Sequence, residues 1–222
     1  MEELLDLTGQ LASVALFGSA GIGKTSTALT LLHHNRTQDK FGSNRHFMQC
    51  NNFTNSLGSF LERLSDAIHT DRITNVAQLR PHIQSSLPLI LLLDGMDHIL
   101  DPLAPEADKI SATIEEFGNY DHVCLIMTSR MDPDIHGFHR VGVPPLSEDG
   151  ARNTFYSLCS LTRSPAVDDL ITSLDFHPLS ISLLTNIVRE NDWDEPTLLK
   201  AWDNDQTGVL KSSYYKIGRA HV

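Results

Sequence analysis

One eight-residue stretch near the start of the chain has the residue types and spacing of a phosphate-binding loop. It follows the apolar run 14–17, with glycine at its first, fourth and sixth positions and lysine, then threonine, at its end. Glycines allow the positive φ angles with which a loop wraps around an anion, so that backbone N–H groups point at one phosphate. The stretch consists of Gly18, Ser19, Ala20, Gly21, Ile22, Gly23, Lys24 and Thr25, and Ser26 follows it.

Lys24 and Thr25 carry the functional groups that a nucleoside triphosphate requires at the end of such a loop. The ammonium of Lys24 is expected to reach the β- and γ-phosphates, and the hydroxyl of Thr25 to ligate Mg²⁺. The alternative is a glycine-rich turn before a solvent-facing lysine. The predicted strand before the loop and the predicted helix after it favour phosphate binding, because the motif has meaning only in that context.

Two aspartates, Asp94 and Asp97, follow the apolar run Leu89 to Leu93. A carboxylate at the buried end of a strand costs free energy unless a cation lies beside it, and Mg²⁺ bound to a triphosphate is such a cation. Asp94 is therefore predicted to bind Mg²⁺, and Asp97 to orient or deprotonate an attacking water molecule. The alternative is a strand end followed by a turn with two solvated aspartates.

The next apolar run, 123–127, leads to Arg130. In a parallel sheet the ligand lies beyond the carboxyl ends of the strands, so this end is expected to face the same crevice as the phosphate loop. A guanidinium at that place can sense a γ-phosphate and stabilise the charge that develops there. The alternative is a surface arginine that pairs with Asp132 or Asp134.

Five short segments with strand-like patterns alternate with segments of helical periodicity through the first two thirds of the chain. This alternation predicts an α/β fold in which a parallel sheet has helices on both faces. Only helical patterns follow Pro144-Pro145, so an all-helical subdomain is expected there. The predicted strands are 14–17, 45–50, 89–93, 123–127 and 140–143, and the predicted helices are 1–7, 25–34, 56–69, 76–84, 110–117, 147–159, 166–175, 178–190 and 196–203.

Composition and charge narrow the class of protein. The chain has 222 residues, 41% of them hydrophobic, and a net charge of −11. That length suffices for one large domain or two small ones with a packed core, and the negative charge argues against nucleic acid or an anionic membrane as a partner. Three distant cysteines predict buried or half-buried thiols in a reducing compartment. The acidic N-terminus and short apolar runs make the cytoplasm the expected location.

Taken in order, the motifs resemble those of the signal-transducing P-loop ATPases with numerous domains, the STAND class. Within that class the resemblance is to NB-ARC and NACHT-type domains of NOD-like receptors, as in fungal and plant-type proteins. It covers residues 1–212 and rests on the stretches GSAGIGKT, LILLLDGMD, LIMTSR, VPPLSEDGARNTF and FHPLSISLL.

This resemblance implies a domain that binds ATP or ADP with Mg²⁺, hydrolyses ATP slowly and couples the bound nucleotide to self-assembly, with a homo-oligomer formed through the domain. The stretch LLLDGMD resembles a Walker B element with Asp94 as its metal-binding acid, and Arg130 matches the arginine that senses the γ-phosphate. The stretch HPLS, residues 177–180, is similar to the GLPL motif, so that Pro178 would contact the adenine.

The resemblance also implies a division of the chain. Residues 1–145 would form a five-stranded parallel P-loop core, and residues 146–212 an NB-ARC-like helical subdomain. We interpret 213–222 as a truncated end. The segment 216–222 matches what a common sequencing-adapter oligonucleotide encodes in one reading frame, and we interpret it as non-native.

Two other functions stay open at the level of sequence. A P-loop kinase for a small acceptor needs an acceptor pocket and usually an arginine-rich lid, whereas the segment 100–110 is acidic and has only Lys109. An interaction scaffold, or an inactive fragment, would bind nucleotide without turning it over. Phosphate transfer to an acceptor identifies the kinase, and light scattering with and without Mg·ADP identifies the scaffold or fragment.

Overall fold

The computed structural model describes residues 1–51, 56–71, 73–78, 87–101, 103–205 and 209–210. Contacts between Cα atoms divide the chain into two units. The first, here the sheet unit, is Met1–Ala20 with Lys24–Val143, and the second, here the helical unit, is Gly21–Gly23 with the chain from Pro144 onward. Every strand of the described residues belongs to the sheet unit.

The sheet unit is built on a five-stranded sheet in which every pairing is parallel. Its strands are β1 Ser13–Phe17, β2 Arg45–Gln49, β3 Leu89–Asp94, β4 Val123–Ser129 and β5 Phe138–Gly142. They lie side by side in the order β2-β3-β4-β1-β5. Because β4 lies between β3 and β1, the carboxyl ends of these three strands are neighbours at one edge of the sheet.

Helices cover both faces of the sheet, as the alternating sequence pattern predicts. They are α1 Glu2–Gly9, α2 Lys24–His33, α3 Asn35–Phe41, α4 Leu57–Ala67 and α5 Ala107–Gly118, with short 3₁₀ helices at Val76–Gln78 and Met96–His98. Successive side chains of a strand point to opposite faces. Leu91 and Leu93 therefore pack with α4 and α5, whereas Ile90 and Leu92 pack with α1, α2 and α3. The predicted α/β class is confirmed.

The helical unit contains four helices around a core of its own, and no strand follows Pro144 among the described residues. The helices are α6 Glu148–Leu158, α7 Pro165–Ser173, α8 Pro178–Glu190 and α9 Glu195–Asn204. Side chains of Ser147, Ser164 and Asp194 accept hydrogen bonds from first-turn N–H groups of α6, α7 and α9. These caps satisfy donors that a helix start otherwise leaves unpaired. The predicted all-helical character is thus found.

The structure differs from the sequence prediction chiefly around the second helix. The sequence predicts one helix over 25–34, but a separate helix, α3, follows α2 at once. His34 interrupts the two, because its backbone is extended and its Nδ1 accepts a hydrogen bond from the N–H of Arg36. Of the predicted helix 76–84, only the 3₁₀ turn Val76–Gln78 lies in the described residues. The predicted end segments 213–222 and 216–222 lie outside them, and the domain limits stay predictions.

The three cysteines are free and buried, as predicted. Burial raises the pKa of Cys50 and of Cys124 to about 12, and burial also raises that of Cys159, so these thiols are poor nucleophiles. Within the part of the chain that the structure describes, no helix combines the length and the apolar character that crossing a membrane requires.

Candidate nucleotide-binding site

The predicted phosphate loop joins the end of β1 to the start of α2. Gly21 and Gly23 have φ angles of 77° and 101°, in the left-handed region where a Cβ atom would cause strain. The ten-residue helix α2 begins at Lys24, and Ser26 lies in its first turn. First-turn N–H groups, which have no partner within the helix, and the positive end of the helix dipole therefore lie at the end of the loop. This is the backbone arrangement that a phosphate group requires.

Lys24 lies back over its own loop. Its ammonium donates hydrogen bonds to the carbonyl oxygens of Gly18 at 2.7 Å and Ser19 at 2.9 Å. Burial lowers the pKa of Lys24, while the charge of Asp97 raises it, that of Arg130 lowers it and that of Asp94 raises it. These charges act on one ammonium because the folded chain brings them near it. Four residues that the sequence predicts for one site thus lie together.

Asp94 is the buried acid of the site, with 8% of its surface exposed. Its Oδ1 accepts hydrogen bonds from the hydroxyls of Thr25 and Thr128, each at 2.7 Å. A hydroxyl and a carboxylate are the oxygen ligands that Mg²⁺ prefers. Thr25 can donate its proton to Asp94 while an oxygen lone pair binds a cation. The two residues predicted to hold Mg²⁺ are therefore in contact, and their chemistry fits that metal.

Asp97 lies on the 3₁₀ helix after β3 and contacts the end of β4. Its Oδ1 accepts hydrogen bonds from the hydroxyl of Ser129 at 3.3 Å and from the backbone N–H of Arg130. Its Oδ2 is 3.8 Å from Nε of Arg130. Arg130 therefore pairs with Asp97, whereas Asp132 pairs with Arg140 at 3.5 Å. The predicted water-activating acid and the predicted phosphate sensor form one ion pair.

Sequence reasoning gave no role to Thr128 or Ser129, although both are buried and both contact an acid of the site. Their positions follow from strand register, which pairs Leu93 with Met127 and Phe17 with Ser129. Knowing that β4 lies between β3 and β1 would have predicted that Thr128 and Ser129 lie beside these acids. The amino-acid sequence alone does not specify the order of the strands in the sheet.

Pro178 is the first residue of α8 in the helical unit. Asp175 and Phe176 precede it with φ angles of 50° and 53°, which is a strained backbone for residues that have a Cβ atom. Backbone bonds support this turn, from the N–H of His177 to Leu174 O at 3.0 Å and from the N–H of Leu146 to Phe176 O at 3.2 Å. The contact of Pro178 with adenine stays a prediction.

No family model matches the sequence, and no curated protein matches it either. Solved structures do match. A STAND protein with a tetratricopeptide repeat sensor from Pyrococcus horikoshii is similar at a TM-score of 0.58 and 16% identity, over 83% of this chain and 29% of that one. An ORC1 protein from Aeropyrum pernix, in complex with DNA, is similar at a TM-score of 0.55 and 14% identity, over 97% of this chain and 64% of that one. PCH-2 from C. elegans is similar at a TM-score of 0.51 and 14% identity, over 97% of this chain and 67% of that one.

At these identities the likeness concerns the fold, and it shows that the chain has the α/β fold of P-loop ATPases. The chain spans less than a third of the length of the STAND protein that it matches. Because the ORC1 structure is a complex with DNA, the comparisons give no support to the expectation that this chain has no nucleic-acid partner.

Proposed function

We propose that this chain is the nucleotide-binding domain of a STAND-class signalling ATPase of the NB-ARC or NACHT type. It binds Mg·ATP or Mg·ADP, hydrolyses ATP slowly and couples the bound nucleotide to self-assembly. The observation that carries the proposal is the 2.7 Å hydrogen bond between Thr25 Oγ1 and Asp94 Oδ1. It joins the end of the phosphate loop to the acid of the Walker B-like stretch, which are the two parts that hold Mg²⁺ beside a triphosphate.

Binding of the phosphates uses the loop and its lysine. The ammonium of Lys24 exchanges two neutral carbonyl acceptors for negatively charged β- and γ-phosphate oxygens, so that attraction between opposite charges adds to each hydrogen bond. Thr25 and Asp94 hold Mg²⁺, which offsets negative charge on the same phosphates. By its resemblance to the GLPL proline, Pro178 contacts the adenine.

Slow turnover is consistent with the surroundings of Asp97. In the proposed reaction its carboxylate orients the attacking water or accepts a proton from it. Its Oδ1 already accepts hydrogen bonds from Ser129 and from the N–H of Arg130, and its Oδ2 lies 3.8 Å from Nε of Arg130, so the attacking water shares the carboxylate with these groups. Hydrolysis by such a group is expected to be slow, which suits a switch better than a metabolic ATPase.

Arg130 is the residue that responds differently to bound ATP and bound ADP. Its side chain is 67% exposed and its 3.8 Å pair with Asp97 is long, so this pair stabilises the fold by no more than about 1 kcal/mol. A γ-phosphate offers the guanidinium a charge-assisted, bidentate partner and can draw it away from Asp97. ADP has no such group, so the two nucleotides favour different positions of Arg130 and of the loop that carries it.

The test is a titration of the full 222-residue chain with fluorescent ADP and ATP analogues, with and without Mg²⁺. Wild type is expected to bind both with micromolar affinity. Lys24→Ala is expected to bind about 100-fold more weakly or not at all, because the variant lacks the ammonium that contacts both the β- and the γ-phosphate. Lys109→Ala is the matched control, since that lysine is 65% exposed and contacts Glu106. Unchanged affinity in Lys24→Ala, or no binding by folded wild type, would contradict the proposal.

A small-molecule kinase is a second candidate, because a cavity adjoins the predicted catalytic pair. Its volume is about 680 Å³ and its wall includes Asp97 and Arg130. Further wall residues are acidic, namely Asp101, Asp108, Asp132 and Asp134. A cationic acceptor matches this wall by charge. Incubation with ATP and a panel of amino alcohols distinguishes the two functions, since a kinase transfers the γ-phosphate to the acceptor, whereas the proposed switch transfers it to water and releases ADP and inorganic phosphate.

A further inference from the structure

We propose that Thr128 is a positioning residue that fixes Asp94 in the orientation needed for binding Mg²⁺. The inference rests on the proposed function, because it names a further residue of the same metal site. Thr128 is 2% exposed, so its side chain acts inside the protein and does not reach a ligand in solvent.

The hydrogen bonds of Thr128 define where its proton points. Its Oγ1 accepts a hydrogen bond from the N–H of Gly95 at 2.9 Å and lies 2.7 Å from Oδ1 of Asp94. An N–H group can only donate, so it occupies a lone pair of the hydroxyl, and the single hydroxyl proton is left for the carboxylate. Thr128 therefore donates to Asp94 and at the same time accepts a hydrogen bond from Gly95, the residue after Asp94.

Both hydroxyls at Asp94 use the same oxygen. Thr25 and Thr128 donate to Oδ1 from two separate segments of the chain, α2 and β4. Two donors to one oxygen restrict the rotation of the carboxylate, and neither of these two bonds uses Oδ2. A metal ligand held in this way loses little freedom when a cation or its bound water reaches Oδ2.

Strand register explains why a threonine at this position can do this. Leu93 of β3 pairs with Met127 of β4, so Asp94 and Thr128 are the next residues on the two neighbouring parallel strands. Gly95 has a φ of 78°, and there the chain turns out of β3 towards Asp97. Thr128 thus fixes the acid and the first N–H of that turn. Valine would keep the shape of Thr128 and lose both hydrogen bonds.

The test compares Thr128→Val with wild type by the Mg²⁺ concentration that half-saturates the increase in affinity for a fluorescent ADP analogue. We expect that concentration to rise about 10-fold to 100-fold, the usual effect of removing a group that supports a metal ligand. Affinity measured in EDTA is expected to change less than about 2-fold, because Thr128 does not touch the phosphates. Thr128→Ser is expected to restore the wild-type Mg²⁺ dependence.

Thr113→Val is the matched control. Thr113 is a buried threonine of α5, 3% exposed, whose hydroxyl donates to Lys109 O at 2.8 Å. The variant Thr113→Val also removes one hydroxyl, but from a helix that contains no predicted site residue. Its Mg²⁺ dependence is therefore expected to match wild type. If Thr128→Val does not fold, the comparison of Thr128→Ser with Thr128→Ala gives the same readout.

Three outcomes would overturn the inference. The first is a wild-type Mg²⁺ dependence in folded Thr128→Val. The second is a loss of affinity in EDTA equal to the loss with Mg²⁺, which would indicate a general structural effect. The third is a failure of Thr128→Ser to restore Mg²⁺ dependence. Failure of the proposed function looks different, because wild type itself would then show no nucleotide binding.

Discussion

Two neighbouring groups of residues at the carboxyl ends of β3 and β4 each contain one aspartate, and the two aspartates have different kinds of partner. In the inner cluster, Thr25 and Thr128 donate 2.7 Å hydrogen bonds to Asp94, which is 8% exposed. In the outer cluster, Asp97 pairs with Arg130 at 3.8 Å, and their side chains are 25% and 67% exposed. Two hydroxyl donors on one oxygen fix the carboxylate of Asp94, whereas the partly exposed ion pair between the side chains of Asp97 and Arg130 is weak and can be exchanged. The inner cluster suits a metal, and the outer cluster suits a switch.

Asp94→Asn tests the inner cluster and is expected to have the largest effect. The amide keeps one oxygen for the two hydroxyls but removes the charge that attracts Mg²⁺. We expect the Mg²⁺-dependent part of nucleotide affinity to disappear and phosphate release to fall about 100-fold or more. The measurement is a Mg²⁺ titration of nucleotide binding, together with a phosphate-release assay.

The exposed residue Asp121 provides the control, because Asp121→Asn removes the same charge from the surface before β4. Its Mg²⁺ dependence should match wild type. If Asp94→Asn retained normal Mg²⁺ dependence, the inner cluster would not be a metal site and the contrast between the two clusters would lose its meaning.

Asp97→Asn tests the outer cluster and is expected to separate binding from turnover. The amide oxygen can still accept from Ser129 and from the N–H of Arg130, so the local structure should persist. We expect ATP affinity within a few-fold of wild type and a rate of hydrolysis lower by about 100-fold or more, the size of a general-base contribution. Single-turnover phosphate release measures the rate. Turnover at the wild-type rate would show that Asp97 is not the base, and no turnover in wild type would favour the scaffold.

The sequence predicts the fold well because the three inner strands, β1, β3 and β4, are buried on both faces. The run Leu89 to Leu93 can hardly be exposed, and the glycines of the phosphate loop have a spacing that few other structures need. Local signals of this kind predict the α/β class, the helical region after Pro144 and the meeting of Thr25 with Asp94.

The rest of the site depends on sheet order, which is not local. The roles of Thr128 and Ser129 require that β4 lie between β3 and β1, and residues far apart in the sequence decide this. For the same reason the sequence offers Asp132 and Asp134 as partners of Arg130, whereas the fold brings Asp97 to it. Sequence neighbours are easy to propose as partners, but parallel strands bring distant ones together.

Arg130→Gln is expected to have the smallest effect on the fold and a selective effect on ligand preference. The exposed pair with Asp97 stabilises the fold by no more than about 1 kcal/mol, so the free energy of unfolding should change by less than that. A γ-phosphate loses its guanidinium partner, so affinity for a slowly hydrolysed ATP analogue should fall about 10-fold while ADP affinity stays the same. Calorimetric titration with both nucleotides and urea unfolding measure the two quantities.

Arg140→Gln is the matched control, because Arg140 forms a similarly exposed pair with Asp132 at 3.5 Å. It should change neither the ratio of ATP to ADP affinity nor, by more than about 1 kcal/mol, the stability. Equal loss of ATP and ADP affinity in Arg130→Gln would mean that this arginine binds phosphate without sensing the γ-phosphate. A loss of several kcal/mol in stability would mean that the outer cluster is as fixed as the inner one, and a fixed pair cannot act as the exchangeable element of a nucleotide switch.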